Sequence, residues 1–168
     1  MITDWIELAT KLGSLHDNGE SGGEAFTRRA FDDILGDEWV ESTVEHIIAF
    51  RRGRELAMNC LQYFHSTKAT MYAYNVYKSS RGERAEQAIW LIKHLSNPIS
   101  VIWIEEFLND SEVTHWGLGV LDQLLWTEQI QYDERAKALL ELAFKNSNGL
   151  LKENIDFIQQ YVAERKSR

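Results

Sequence analysis

Apolar residues recur at intervals of three and four along most of the chain, which is the spacing of one face of an α-helix. The clearest stretch is residues 98–126, which read as a hairpin of two helices. Asn97 can cap the first helix, and Pro98 suits its first position because an N–H there would have no helical partner. Both helices are apolar on more than one side, so we expect further helices to cover them.

The same spacing predicts about ten helices and an all-α fold. They cover approximately residues 3–15, 24–35, 37–50, 54–65, 67–78, 83–95, 98–108, 113–126, 136–144 and 151–162. Strand-like alternation is nearly absent, residues 16–23 are predicted to form a glycine-rich loop, and Gly36 is predicted to end the second helix. With 168 residues, the chain is long enough for a single domain, residues 1–168, with one continuous core.

The spacing also predicts which side chains point inward. The inner faces are assigned Trp5 and Ile6 in the first helix, Phe31 and Ile34 in the second, Trp39 in the third, and Leu56 and Cys60 in the fourth. Because Cys60 is the single cysteine, no internal disulfide is possible, and we expect a buried structural thiol. A nucleophilic thiol would instead require an accessible, positively charged setting.

An internal repeat relates the helices. Moving residues 83–95 forward by 29 positions keeps small residues on small and large on large: Ala88 on Gly117, Ile89 on Leu118, Ile92 on Leu121 and Leu95 on Leu124. A shift of 36 places Ile104 on Leu140 and Leu108 on Phe144. Helix pairs of this size cannot bury their apolar faces alone, so they must stack.

In this pattern, residues 54–163 resemble HEAT-like helical repeats. The resemblance implies antiparallel helical hairpins stacked into a short α-solenoid, preceded by acidic N-terminal helices in residues 1–50. Tetratricopeptide repeats have a similar period, but their sequence landmarks are missing here. A compact helical bundle without superhelical order is the structural alternative.

The acidic charge lies at one end of the sequence. Residues 1–50 hold 11 acidic and 3 basic residues, a net charge of 3 − 11 = −8, while residues 51–168 hold 15 of each. Such a surface repels nucleic acid and favours a basic protein partner. The alternative is a solvated face that only increases solubility.

Two groups of side chains are candidates for binding a partner. The acidic group lies on the second and third predicted helices: Asp32, Asp33, Asp37, Glu38, Glu41 and Glu45. Tyr72, Tyr74 and Tyr77 form the aromatic group, because three tyrosines in six residues cannot all enter one core. Tyrosines with one wet end are common at interfaces, although packing between helices would also explain them.

No catalytic signature is evident. Glu112 and His115 have the spacing of a di-iron bundle motif, which would need a second copy. The stripe of Glu38, Glu41 and Glu45 resembles part of the magnesium site of all-α nucleotide pyrophosphohydrolases. The only candidate for its second part, Glu153-x-x-Asp156, lies over a hundred residues away. We therefore expect no metal, no cofactor and no enzymatic activity, with that hydrolase as the alternative.

The size, acidity and helical pattern resemble those of HEAT-like immunity proteins of bacterial contact-dependent growth inhibition systems. This resemblance implies direct binding to a cognate toxin domain, often a basic nuclease. DNA glycosylases of the alkylation-repair type share the HEAT-like pattern but present a basic groove. A generic HEAT-like scaffold is a further alternative. No apolar run is long enough to span a bilayer and no signal peptide is recognisable, so we expect a cytoplasmic protein that binds neither membrane nor nucleic acid.

Overall fold

The computed structural model describes residues 4–16, 19–20 and 23–166, and the fold is all-helical. Nine α-helices are found in these ranges. They are α1 (Trp5–Lys11), α2 (Glu24–Ile48), α3 (Arg54–Tyr63), α4 (Thr67–Ser79), α5 (Glu83–Leu95), α6 (Ile104–Asn109), α7 (Thr114–Trp126), α8 (Glu134–Asn146) and α9 (Lys152–Lys166). A 3-10 helix, Pro98–Ile102, precedes α6, and Leu15–His16 (β1) pairs antiparallel with Gly19–Glu20 (β2) over two residues each.

The helix count in the described residues is nine because two predicted helices are joined in α2. Gly36, predicted to end the first of them, has φ 77° and ψ 163°, which is outside the helical region. The chain bends at this residue and then continues as a helix. Glycine tolerates this conformation because it has no Cβ. Gly36 therefore ends the first helical segment of α2, as predicted, and the second segment follows directly without a loop.

Local capping follows the sequence closely. Asp4 accepts from the N–H groups of Ile6 and Glu7 at the start of α1, and Asn97 accepts from Ile99 N–H at 3.0 Å. Asn97 also donates to His65 O at 2.6 Å, which links the end of α5 to the turn before α4. The predicted Asn97 cap is confirmed, and the residue also connects two neighbouring turns.

The core is richest around α5, α6 and α7. The largest fully buried side chains are Ile47, Leu61, Ile89, Leu91, Ile92, Leu95, Ile104, Phe107, Leu108, Leu121, Leu124 and Leu140. Helix α5 packs against α4 and α7, and α7 in turn packs against α6 and α8. The approach of α6 and α7 is close, since a Cβ added to Gly117 would lie 2.8 Å from Phe107 Cβ.

Several side chains predicted to be buried are exposed. Trp5 and Ile6 are each 58% exposed, and Leu56 is 72% exposed. Cys60 is exposed as well, so the prediction of a buried thiol is wrong. Helical spacing predicts which residues share a face of one helix, but it does not show whether another helix covers that face. Among the described helices, none has both the length and the apolar character needed to cross a membrane.

Candidate protein-binding surface

Asp32 does not face a partner, contrary to the sequence prediction. It is only 4% exposed, and its carboxylate accepts hydrogen bonds from the Ser66 hydroxyl and from the N–H groups of Thr67 (2.8 Å) and Lys68 (3.1 Å). These N–H groups belong to the first turn of α4, where no helical acceptor exists. Asp32 is therefore a structural cap that joins α2 to α4.

Two further acids of the predicted group form ion pairs with lysines. Asp33 lies 2.6 Å from Lys11 Nζ on α1, and Asp37 lies 2.6 Å from Lys68 Nζ on α4. The hydrogen bond from Lys68 lowers the pKa of the Asp37 carboxyl, and the Asp37 side chain is still 75% exposed. The first pair connects α1 to α2, and both reduce the local negative charge.

Glu45 is the most strongly engaged residue of the acidic stripe. The Arg84 guanidinium donates to both of its carboxylate oxygens, at 2.6 and 2.8 Å, and the Tyr72 hydroxyl donates to one of them at 3.2 Å. Burial, followed by the charge of Glu45, raises the pKa of Tyr72. Glu45 thus links α2 to α4 and α5 and has little capacity left for a partner.

The other two tyrosines bind carboxylates on or beside α6. The ring of Tyr74 stacks on Trp103 with centroids 4.1 Å apart, and its hydroxyl donates to Glu106 at 2.6 Å. Burial, together with that hydrogen bond, raises the pKa of Tyr74 to about 12. Tyr77 is 5% exposed and donates to Asp110 at 3.0 Å. These two tyrosines pack between helices, which was the alternative explanation of the pattern.

Glu38 and Glu41 remain as the freely presented acids. Both are exposed, and neither forms an ion pair with any residue in the described part of the chain. Glu41 also lines a shallow groove of about 180 Å³ between α2 and α4, together with Lys68 and Tyr72. Within the predicted acidic group, the two acids without an ion pair in the described residues therefore both lie after the bend at Gly36.

Exposed apolar side chains accompany these acids on α2, which the sequence did not predict. Trp39 is 38% exposed, and Phe31 and Ile34 are 44% and 45% exposed. We call Phe31, Ile34, Glu38, Trp39 and Glu41 the α2 surface. Helical spacing assigned Phe31, Ile34 and Trp39 to an inner face, but spacing alone does not show whether another helix covers that face. Tryptophan is enriched at protein-binding surfaces, and exposed carboxylates on the same helix can attract a basic partner.

Metal ligation has no obvious location. In residues 4–16, 19–20 and 23–166, no three His, Cys, Asp or Glu side chains converge as a possible metal site. His115, half of the di-iron-like pair, is exposed and lies beside Trp116 with ring centroids 4.9 Å apart.

No family model, curated protein or solved structure matches this chain.

Proposed function

We propose that this chain is a non-enzymatic protein-binding module made of stacked antiparallel helical hairpins. Consecutive helices α4 and α5, and likewise α6 and α7, pack together, while α2 packs on α4, α5 on α7, and α6 on α8. Side-chain hydrogen bonds between helices join residues one helix pair apart, as in Tyr72–Glu45 (27 positions), Tyr77–Asp110 (33) and Tyr161–Asp122 (39). Contacts of this kind support a repeat in which each pair binds mainly its neighbours.

The partner binds, in this proposal, to the α2 surface. The observation that carries this assignment is the exposure of Trp39 close in sequence to two exposed acids, Glu38 and Glu41, that form no ion pair in the described residues. Tryptophan supplies a large apolar area to the centre of an interface, and nearby charges steer the encounter with an oppositely charged protein. The net charge of −8, all of it within residues 1–50, favours a basic partner.

The partner we propose is a cognate bacterial toxin domain with a basic surface, neutralised by direct binding. Nucleases are the expected class because they must bind phosphate backbones and therefore carry basic surfaces. The resemblance to immunity proteins of contact-dependent growth inhibition systems suggests this role, and the acidic, apolar character of the α2 surface supports it. On this proposal the protein acts in the cytoplasm and needs no cofactor.

The experiment measures association of the full chain with the toxin domain encoded directly upstream of its gene. Glu38→Lys combined with Glu41→Lys should slow association about tenfold at low salt and weaken its salt dependence, because steering attraction is replaced by repulsion. The control is Glu141→Lys with Glu153→Lys, two exposed acids on α8 and α9 that give the same change in net charge. If both double variants slow association equally, charge location is irrelevant and the assignment of the α2 surface is wrong.

A second variant tests the apolar part of the surface. Trp39→Ala should accelerate dissociation about 30-fold, as expected for loss of about 2 kcal/mol at a central aromatic residue. Phe157→Ala is the control because Phe157 is an exposed aromatic residue on α9. Full toxin inhibition by the Trp39 variant at the wild-type concentration would contradict the proposal.

A further inference from the structure

A cavity of about 320 Å³ lies between α5, α7 and α9, far along the chain from the α2 surface. Its apolar lining includes Trp116, Leu118 and Ile158. Lys93 and Asp122 also line it, so the cavity contains one positive and one negative side chain. Its volume is within the range of sites for small organic molecules, which combine an apolar lining with a few polar groups.

The side chain of Lys93 packs against Gly119 on α7, which has no side chain of its own. A Cβ at Gly119 would lie 3.3 Å from Lys93 Cδ and 3.7 Å from Nζ. The lysine is partly buried, yet no hydrogen-bond acceptor or ion-pair partner of its ammonium is found in the described residues. All three of its N–H groups are therefore available to an anionic group in the cavity.

Asp122 supplies the opposite charge one helical turn from Gly119. The Tyr161 hydroxyl donates to its Oδ1 at 3.0 Å, while Oδ2 accepts no hydrogen bond from the described part of the chain. Asp122 and Lys93 line the same cavity. They nevertheless do not form an ion pair with each other. Each retains capacity for a group of the opposite charge.

We propose that this cavity binds a free amino acid with an apolar side chain. The Lys93 ammonium binds the α-carboxylate, the free oxygen of Asp122 accepts from the α-ammonium, and the apolar side chain lies on Leu118 and Ile158. A ligand with only one charge leaves either Lys93 or Asp122 without a partner, which costs binding free energy. This inference is independent of the proposed toxin binding, since it involves α5, α7 and α9 alone.

The experiment titrates the full chain with L-leucine and follows the indole N–H signals by two-dimensional NMR. Trp116 is the reporter because it lines the cavity and its buried indole N–H has no acceptor in the described residues. Trp116→Phe assigns its signal. We expect a saturable shift of that signal with L-leucine, and at least about tenfold weaker binding of N-acetyl-L-leucine and L-leucinamide, each of which lacks one charge.

Variants test the two charged side chains. Lys93→Met and Asp122→Asn should each weaken L-leucine binding about tenfold or more, and the asparagine can still accept from Tyr161. Lys145→Met, a change at an exposed lysine on α8, is the control and should bind normally. A Trp116 signal that L-leucine does not shift would overturn the proposal, as would equal binding by the Lys93 and Lys145 variants. Equally tight binding of the two single-charge analogues would do so too.

Discussion

At the scale of single residues, Asp32 connects α2 to the first turn of α4. It is a buried carboxylate on α2 whose three hydrogen bonds all go to the start of α4. Two of the donors are backbone N–H groups that have no acceptor within their own helix. Asp32 therefore helps to fix the position of α4 relative to α2, together with the bonds from Lys68 to Asp37 and from Tyr72 to Glu45.

Replacing Asp32 tests this dependence. Asp32→Ala should lower the free energy of unfolding by about 2–4 kcal/mol, because it leaves buried donors without an acceptor. Asp33→Ala is the neighbouring control, and it should cost below about 1 kcal/mol since it removes only the exposed ion pair to Lys11. Urea unfolding of both variants provides the measurement. Equal losses would show that Asp32 is not the cap described here.

The raised pKa of Tyr74 predicts that the folded state loses stability at alkaline pH. Its folded-state pKa of about 12 lies above the ordinary value of 10.0, so above pH 10 the unfolded chain loses this proton more readily than the folded chain. The contribution of the neutral phenol is complete below pH 10 and is lost as pH rises through 12. We expect the stability advantage of wild type over Tyr74→Phe to shrink between pH 9 and pH 11.

Chemical unfolding at both pH values measures that difference directly. Tyr63→Phe is the control, since Tyr63 is 89% exposed. An advantage of wild type over Tyr74→Phe that stays constant across this pH range would contradict the role assigned to the Tyr74 hydroxyl.

At the scale of helices, the contact between α6 and α7 leaves no room for a side chain at position 117. Gly117 lets the two backbones approach, and a Cβ there would be 2.8 Å from Phe107 Cβ. Gly117→Ala should therefore lower the free energy of unfolding by about 1–3 kcal/mol through overpacking. Gly119→Ala, on the same helix, meets only the flexible Lys93 stem and should be neutral or stabilising, because alanine favours a helix by about 1 kcal/mol over glycine. Thermal unfolding of the two variants should rank them in this order.

Helix positions were predictable from the sequence, and α5 has the predicted bounds of residues 83–95. Whether a neighbour covers a given apolar face was not. Leu56 and Cys60 share a helical spacing typical of a core, yet both are exposed on α3. Helical periodicity is a property of one segment of the chain. Burial depends on whether a segment distant in sequence packs on it, and this packing cannot be read from the spacing of apolar residues.

At the scale of the whole molecule, the sequence predicted the amount of charge but not its pairing. Asp32, Asp37 and Glu45 looked equivalent to Glu38 and Glu41, but each of the first three accepts at least one hydrogen bond from a residue of α4 or α5. The surviving candidate surface is therefore smaller than predicted and contains Trp39, which helical spacing had assigned to the interior.

The hydrogen bonds that connect each helix to the one a pair earlier also bear on how the chain is made. His65 bonds to Leu95, Ser96 to Thr127, and Arg165 to Leu125, over 30, 31 and 40 positions. The ribosome synthesises the earlier partner of each bond first. A helix pair that leaves the exit tunnel can therefore pack on the pair that left before it. Assembly during translation can then advance from the amino end without waiting for the last codon.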